Sequence, residues 1–167
     1  SIISVLYLVW LLNLYNFMDG IDGLASVEAI TVCFGVIILL FIDNKIEDTY
    51  LLIALSASVL GFAIWNWSPA KIFMGDVASG FIGILLGCFS IITTYHSNLD
   101  FQIWLILLAI FITDATYTLL IRFFKGEKVY QSHNSHIYQI LARQYGHKWV
   151  STSVAIINFV YLLPLAY

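Results

Sequence analysis

Charged side chains are scarce in this chain of 167 residues. Asp, Glu, Lys and Arg together make up 10 % of the sequence, apolar residues make up 61 %, and the mean hydropathy is +0.92. An average soluble domain has about 25 % charged residues, so this chain has too little polar surface for a soluble protein of its size. The composition excludes a disordered chain, a basic nucleic-acid-binding domain and an ordinary cytosolic globule. It predicts a protein that folds in a lipid bilayer.

Cysteine is nearly absent, and no targeting signal is visible. Cys33 and Cys88 both fall inside apolar runs, so we interpret them as small core residues rather than as a disulfide or a zinc site. No short apolar stretch follows a basic segment, as it would in a cleavable signal peptide. Because the chain opens on Ser1 and is apolar from Ile2, we interpret it as a fragment or processed chain whose beginning is missing.

Long apolar runs are what the sequence has in abundance. A membrane-spanning helix needs roughly 20 apolar residues, and in hydrocarbon its backbone must satisfy its own hydrogen bonds. Six runs fit, the first of them cut short: 2–16, 24–42, 50–67, 77–95, 101–123 and 149–167. The predicted fold is all-α, a polytopic transmembrane helix bundle of about six spans that forms one integral membrane domain over residues 1–167.

The basic residues are concentrated on one side of these spans. Six of the seven lie in or next to the loops at 17–23, 66–76 and 124–148, and the other side holds only Lys45. The positive-inside rule makes the first side cytoplasmic. The unusual polar clusters of the chain lie in the loops of that same side.

Two of these clusters are acidic. Asp19 and Asp22 are each followed by glycine and would share a helical face with Asn16. Asp76 follows Phe73 in a later loop and begins a span, where a helix N-terminus favours an anion. A solvated turn is the alternative for the first cluster, and a plain helix cap is the alternative for the second. A calcium EF-hand loop does not fit the first cluster, because the required oxygen ligands are absent.

A third cluster lies in the longest loop, which is basic. Arg122 and Lys125 suit phosphate oxygens, and His133 and His136 fall on one face of a helical turn. Zinc is disfavoured, because no cysteine is near these histidines. Contact with phosphate is therefore the better interpretation of this loop.

Asp114 is the acid that we place deep in a predicted span. An ionisable residue inside a membrane is expensive and marks a functional site by default. The alternative is a structural group that is hydrogen-bonded through Thr113 or Thr116. The remaining histidines, His96 and His147, we interpret as solvated or interfacial.

Together the clusters offer carboxylates that suit a hard divalent cation and basic groups that suit phosphates. Mg²⁺ usually binds through one or two carboxylates and substrate phosphates, and phosphoryl transfer needs positioning and charge neutralisation rather than a protein nucleophile. The pattern favours an enzyme with one substrate in the bilayer and another in the cytosol. A membrane transporter is the alternative, since acids and broken helices also build ion pathways. A purely structural membrane subunit is a third hypothesis.

The motifs in these clusters resemble those of the polyprenyl-phosphate N-acetylhexosamine-1-phosphate transferases, glycosyltransferase family 4. The matching segments are N-L-Y-N-F-M-D-G-I-D-G-L-A at 13–25, P-A-K-I-F-M-G-D-V-A-S at 69–79 and H-N-S-H-I-Y-Q at 133–139. The third segment is similar to the branch that initiates O-antigen and other surface polysaccharides. The peptidoglycan branch has three consecutive histidines there. An early Asp-Asp motif of the family is absent, which fits a C-terminal fragment that lacks the N-terminal spans.

The resemblance implies a reaction and a place in the cell. A sugar 1-phosphate, of GlcNAc, QuiNAc or FucNAc, would pass from a UDP-sugar to undecaprenyl phosphate with release of UMP, as a step in lipopolysaccharide O-antigen or cell-wall synthesis. The protein would lie in the bacterial inner membrane, with its active site on the cytoplasmic face. It would use Mg²⁺, with Mn²⁺ as an alternative, and would have no nucleic-acid partner. Whether the protein forms a homodimer is left open by the resemblance.

The resemblance also implies roles for individual residues, which should then converge on one pocket. The expected catalytic residues are Asp19, Asp22, Asp76, His133 and His136. The expected metal ligands are Asp76 and Asp19. The expected substrate-binding residues are Asn16, Asn66, Phe73, Arg122 and Lys125, with Phe73 against the uracil.

Overall fold

The computed structural model describes residues 1–126 and 135–167, and the described part is helical, with no β-strand. Its α-helices in chain order are α1 (Ile2–Met18), α2 (Leu24–Ile42), α3 (Thr49–Asn66), α4 (Gly75–His96), α5 (Phe101–Leu107), α6 (Ala109–Phe124), α7 (Ile137–Tyr145), α8 (His147–Ile157) and α9 (Leu163–Ala166). A 3₁₀ turn at Ile46–Asp48 leads into α3, and a π-helical segment at Asn158–Leu162 joins α8 to α9.

Long apolar helices confirm the predicted polytopic helical fold. Within the described residues, four stretches are long and apolar enough to cross a membrane: Leu24–Ile42, Ile46–Asn66, Gly75–His96 and His147–Ala166. Each coincides with a predicted span. The first predicted span is α1, an apolar helix of 17 residues.

The fifth predicted span is present as a bent pair of helices. α5 and α6 meet at Leu108 with a bend of 71°, and together they form a broken span or a re-entrant loop. No glycine or proline lies in 101–123, so the bend comes from packing rather than from a helix-breaking residue. Trp104 is fully buried. Leu107 packs on α2 at Gly35, where a Cβ on that glycine would lie 3.2 Å from the methyl carbons of Leu107.

α1 and α4 pack closely because glycines line their contact. A Cβ on Gly83 would lie 2.7 Å from the carbonyl oxygen of Leu11, and a Cβ on Gly87 would lie 2.7 Å from a methyl carbon of Leu8. Both distances are too short for a real side chain. The approach of α4 to α1 therefore depends on these glycines, and it brings the end of α1 next to the start of α4.

The loops gather at two opposite ends of the bundle, as the predicted sidedness requires. At one end, the loops after α1 and α3 meet the first turns of α4 and α8. At the other end, the Ser97 hydroxyl donates a hydrogen bond to the carboxylate of Asp48, which joins the loop after α4 to the turn before α3. The predicted acidic residues all lie at the first end.

Candidate active site

Acidic residues from two distant segments line one cavity at this end of the bundle. The loop after α1 contributes Asp19 and Asp22, and the first turn of α4 contributes Asp76. The cavity has a volume of about 320 Å³. Its other lining residues are Gly20, Ile21, Asn66, Phe73, Met74, Gly75 and His147. Five of the residues expected to form the site are thus brought together.

The Asp76 carboxylate acts electrostatically on Asp19 across this cavity. Burial, together with the Asp76 carboxylate nearby, raises the pKa of Asp19 from an ordinary 3.8 to about 7, and a hydrogen bond from the Gly75 backbone opposes that rise. Asp76 itself is exposed. A carboxylate pair of this kind is relieved by a proton or by a cation placed between the two acids.

Asp22 is held from two sides. Its Oδ2 accepts a hydrogen bond from the backbone N–H of Ala70 at 3.1 Å. Nδ1 of His147 lies 3.3 Å from both Oδ2 and the backbone nitrogen of Asp22. That ring nitrogen accepts from the backbone N–H when it is unprotonated and donates to Oδ2 when it carries the proton. The hydroxyl of Ser151 donates to the Asp22 carbonyl at 2.9 Å.

Asn66 joins two loops in the cavity wall. Its Oδ1 accepts from the backbone N–H of Gly23 and from the hydroxyl of Ser26, both at 3.1 Å. Its Nδ2 donates to the carbonyl of Ile72 at 3.0 Å. The side chain is buried, so its hydrogen bonds hold the wall in place. Phe73, next along the chain, is 77 % exposed and offers its ring to a ligand.

The other predicted residues that the structure describes lie outside the cavity lining. Asn16 accepts a hydrogen bond from the Ser79 hydroxyl at 2.8 Å, which ties α1 to α4. Arg122 is buried on α6, and Lys125 is exposed at the end of that helix. His133 lies outside the described residues. Within the described part of the chain, no group of three or more His, Cys, Asp or Glu side chains is arranged to hold a metal ion.

His136 belongs to a different arrangement, which is centred on Asp114. Its side chain is 2 % exposed, and Nδ1 lies 3.1 Å from Oδ1 of Asp114. The same carboxylate accepts from the backbone N–H groups of Ile137 at 3.1 Å and Tyr138 at 2.9 Å. Asp114 therefore anchors the first turn of α7. The structure does not bring His136 into the cavity lining.

Of the two roles left open for Asp114, the structure shows the hydrogen-bonded one. Its side-chain partner on α6 is Thr118, whose hydroxyl donates at 3.2 Å. The expected partners were Thr113 and Thr116. Thr113 instead donates to the carbonyl of Ala109 in its own helix.

α7 also contacts the end of α1 and the loop at 19–23 that follows it, which we call the acidic loop. The Tyr138 hydroxyl donates to the carbonyl of Phe17 at 2.9 Å. Burial, followed by the carboxylates of Asp114 and Asp19, raises the pKa of that hydroxyl. A side chain on Gly20 would overlap the same hydroxyl, so only glycine permits this close approach. His136 thus lies beside the site and supports it through α7.

His147 lies in the cavity lining, a place that its interpretation as a solvated or interfacial residue did not include. This residue begins α8 directly after Gly146, whose φ is +88°. The signal that could have found it is its position: it opens a span on the same side of the membrane as the acidic loops.

Two apolar grooves flank α6. The larger, about 870 Å³, lies between α6, α7 and α8 and includes Tyr117, Leu141 and Trp149 in its lining. The smaller, about 490 Å³, lies between α1 and α6 and includes Trp10 and Phe123. Apolar side chains make up most of the lining of both grooves, which suits a hydrocarbon chain better than a polar ligand.

Comparison with known proteins finds relatives that are named as sugar-phosphate transferases. A probable undecaprenyl-phosphate N-acetylglucosaminyl 1-phosphate transferase of Bacillus subtilis is 30 % identical over 162 residues, which is 95 % of this chain and 45 % of the relative. A phospho-N-acetylmuramoyl-pentapeptide-transferase of Streptococcus mutans is 27 % identical over 167 residues, 88 % of this chain and 48 % of the relative. The chain therefore spans about half the length of these two curated relatives.

A family model matches the part of the chain that holds the acidic cavity. It is the model of glycosyl transferase family 4, and it covers residues 1–94, from α1 through most of α4. The matched region includes both acidic segments. Because this match covers more than half of the 167 residues, the chain belongs to glycosyl transferase family 4.

Proposed function

We propose that the protein transfers an N-acetylhexosamine 1-phosphate from a UDP-sugar to undecaprenyl phosphate and releases UMP. One observation carries the proposal: Asp19, Asp22 and Asp76 line a single cavity at one end of a membrane helix bundle. The names of the relatives support it, since one is an undecaprenyl-phosphate N-acetylglucosaminyl 1-phosphate transferase. We propose that this end lies on the cytoplasmic face of the bacterial inner membrane, and the concentration of basic residues in its loops supports that sidedness.

In the proposed reaction, an oxygen of the lipid phosphate attacks the phosphorus that bears the sugar. A new P–O bond forms as the bond to the α-phosphate of the donor breaks, and UMP leaves with the electron pair. Because the nucleophile is the lipid phosphate, no protein nucleophile is needed. Phosphoryl transfer depends on positioning the two substrates, and a cavity lined by carboxylates suits that task.

The carboxylates of Asp19 and Asp76 fit a magnesium ion. Each offers hard oxygen ligands, and Asp76 lies near enough to raise the pKa of Asp19. Mg²⁺ usually takes one or two carboxylates from a protein, with substrate phosphates and water completing its shell. We propose that these two residues would hold Mg²⁺, or Mn²⁺ in its place, which when bound would neutralise charge on the diphosphate. Asp22 would position the lipid phosphate or the diphosphate.

The two substrates have separate surfaces available. The exposed ring of Phe73 lies in the cavity wall, where it would pack on the uracil. The polyprenyl chain would lie in the larger apolar groove, between α6, α7 and α8. That groove runs beside α7, which contacts the acidic loop through Tyr138. The lipid phosphate could then reach the cavity while its tail stays in the bilayer.

We further propose that the product initiates O-antigen or another surface polysaccharide, with GlcNAc, QuiNAc or FucNAc as the sugar. The support is the spacing of His133 and His136, which differs from three consecutive histidines. Direct contact of His136 with the diphosphate is not part of this proposal, because its ring is buried against Asp114.

The transporter hypothesis depends on acids deep in the membrane, and Asp114, the acid deep in the fifth predicted span, is engaged in hydrogen bonds within the bundle. Asp114 accepts four hydrogen bonds from α6 and the start of α7. A second acid, Glu28 in α2, was passed over in the sequence and is fully buried. Neither lines the acidic cavity.

The test uses the complete protein, purified in detergent with undecaprenyl phosphate, Mg²⁺ and each of the three UDP-sugars. We expect UMP release that needs the lipid phosphate and one of the sugars and that stops when the metal is chelated. UMP release without the lipid acceptor, or none with any of these donors, would contradict the proposal. Counterflow of a labelled sugar or ion in proteoliposomes would support the transporter instead.

A further inference from the structure

α8 contacts the backbone N–H, the backbone carbonyl and the carboxylate of Asp22, in the loop between α1 and α2. The backbone N–H and the carboxylate of Asp22 both meet Nδ1 of His147, and the Asp22 carbonyl accepts from Ser151. The Ala70 backbone N–H adds one more contact to the carboxylate. We propose that His147 and Ser151 are positioning residues that hold Asp22 in its working orientation.

The two residues suit this task because of their place on α8. They are four residues apart, so they lie on one face of the helix, and that face packs against the acidic loop. The loop is in van der Waals range there, since a Cβ on Gly23 would lie 3.8 Å from the Ser151 hydroxyl oxygen. α8 lies beyond residues 1–94, the part that the family model matches. The inference therefore concerns residues to which the family match assigns nothing.

Because the His147 side chain is partly exposed, its effect on turnover can be distinguished from an effect on stability. Its side chain is 42 % exposed, whereas that of Asp22 is 16 % exposed. A partly exposed polar contact contributes little to stability. A small displacement of a group that aligns reactants can nonetheless cost a large factor in rate. Loss of His147 should thus reduce turnover more than it reduces stability.

The inference rests on the proposed function, in which Asp22 acts on the substrates. The test compares His147→Phe with His147→Asn in the UMP-release assay of the complete protein. Phe removes the ring nitrogen, whereas the side-chain amide of Asn places a polar atom near the position of Nδ1. We expect His147→Phe to lower kcat about tenfold or more with little change in KM for the UDP-sugar. His147→Asn should restore most of kcat.

Two further variants complete the design. Ser151→Ala removes only the contact to the Asp22 carbonyl and should lower kcat less than His147→Phe does. In the double variant, the fold-loss of kcat should be smaller than the product of the two single fold-losses, because both residues act on Asp22. His96→Phe, at the opposite end of the bundle and also exposed, is the matched control and should leave kcat unchanged.

The outcomes separate this inference from the proposed function. An inactive wild-type protein would overturn the proposed function and this inference with it. An active wild type with an unchanged kcat in His147→Phe would overturn only the inference. A folded His147→Asn variant, with a wild-type Tm, that is as slow as His147→Phe would do the same.

Discussion

Nδ1 of His136 lies 3.1 Å from Oδ1 of Asp114, a contact that joins α6 to the start of α7. The same carboxylate accepts two backbone N–H groups of α7. α7 in turn reaches the end of α1 through the Tyr138 hydroxyl and the Phe17 carbonyl. An acid inside the bundle is thereby connected to the acidic loop without lining the acidic cavity.

The first prediction concerns this anchor. Asp114→Ala should destabilise the protein by about 3 kcal/mol, because it leaves buried donors at the start of α7 without an acceptor. Thermal unfolding in detergent measures the effect. Thr113→Ala is the control, since the Thr113 hydroxyl is exposed and bonds only within α6. Equal melting temperatures for the two variants would show that Asp114 does not anchor α7.

The fold was largely predictable because hydropathy is a local property. The spans at 24–42 and 77–95 coincide with α2 and α4 within a few residues. The bend at Leu108 could not be predicted, because no residue in the local sequence breaks the helix and the cause is packing of Trp104 and Leu107 on other helices. Tertiary packing overrode a sequence that favours a continuous helix.

The site was predictable where a motif carried it. Asp19, Asp22 and Asp76 stand in family motifs, and alternation of the spans placed them at one end of the bundle. His147 and Glu28 were missed because their partners, Asp22 and Asn158, are more than a hundred residues away along the chain. Nothing in the local sequence of either residue indicates such a partner. For His136, the motif did not indicate its contact with Asp114, whose position is 22 residues earlier in the chain.

The second prediction follows from the raised pKa of Asp19. Its pKa is about 7 in the folded protein and 3.8 ordinarily, so between these two values the folded state binds a proton that the unfolded state lacks. The contribution of Asp19 to stability therefore falls as pH rises through this window and is constant above it. Asp19→Asn removes this loss, so its Tm advantage over wild type in metal-free buffer should grow from about pH 5 to about pH 8.

The same pair of proteins tests the proposed metal without an activity assay. Mg²⁺ added at high pH should raise the Tm of the wild type and leave that of Asp19→Asn unchanged, because binding to the folded state alone stabilises it. A Tm difference that is the same at low and high pH would contradict the raised pKa. A wild-type Tm that does not change when Mg²⁺ is added would contradict the ligand role of Asp19.

The third prediction concerns the contact between α1 and α4. Gly83→Ala should destabilise the bundle by about 1–3 kcal/mol, because the new Cβ would lie 2.7 Å from the Leu11 carbonyl oxygen and 2.8 Å from Cβ of Tyr15. Gly61→Ala in α3 is the control, since nothing lies within 4 Å of a Cβ there. If both variants melt with the wild type, α4 does not pack on α1 as closely as described.

The fourth prediction concerns a buried polar contact between α2 and the π-helical segment. Nδ2 of Asn158 donates to Oε2 of Glu28 at 2.8 Å and to Oγ1 of Thr31 at 2.7 Å. Asn158→Leu removes both bonds and should cost about 1–3 kcal/mol. Glu28→Gln should be tolerated, because within the described residues Oε1 of Glu28 and Oδ1 of Asn158 lack partners and the new amide can donate. A Gln variant that melts as early as Asn158→Leu would refute this account.

The fifth prediction concerns the proposed metal ligand in α4. Asp76→Asn should reduce UMP release to background, because the amide offers one weak ligand in place of a carboxylate. Its Tm should stay near that of the wild type, since Asp76 is exposed. Asp100→Asn, another exposed aspartate at the opposite end, should remain fully active. Full activity in Asp76→Asn would remove that residue from the metal site.

The fate of the sugar-bearing phosphorus tests the central claim most directly. With a UDP-N-acetylhexosamine labelled at its β-phosphorus, the complete protein should move the label into the lipid product and release unlabelled UMP. The same reaction with Asp76→Asn should leave the label in the water-soluble donor. Label recovered in UDP, with the sugar alone on the lipid, would show that the protein does not transfer a sugar 1-phosphate.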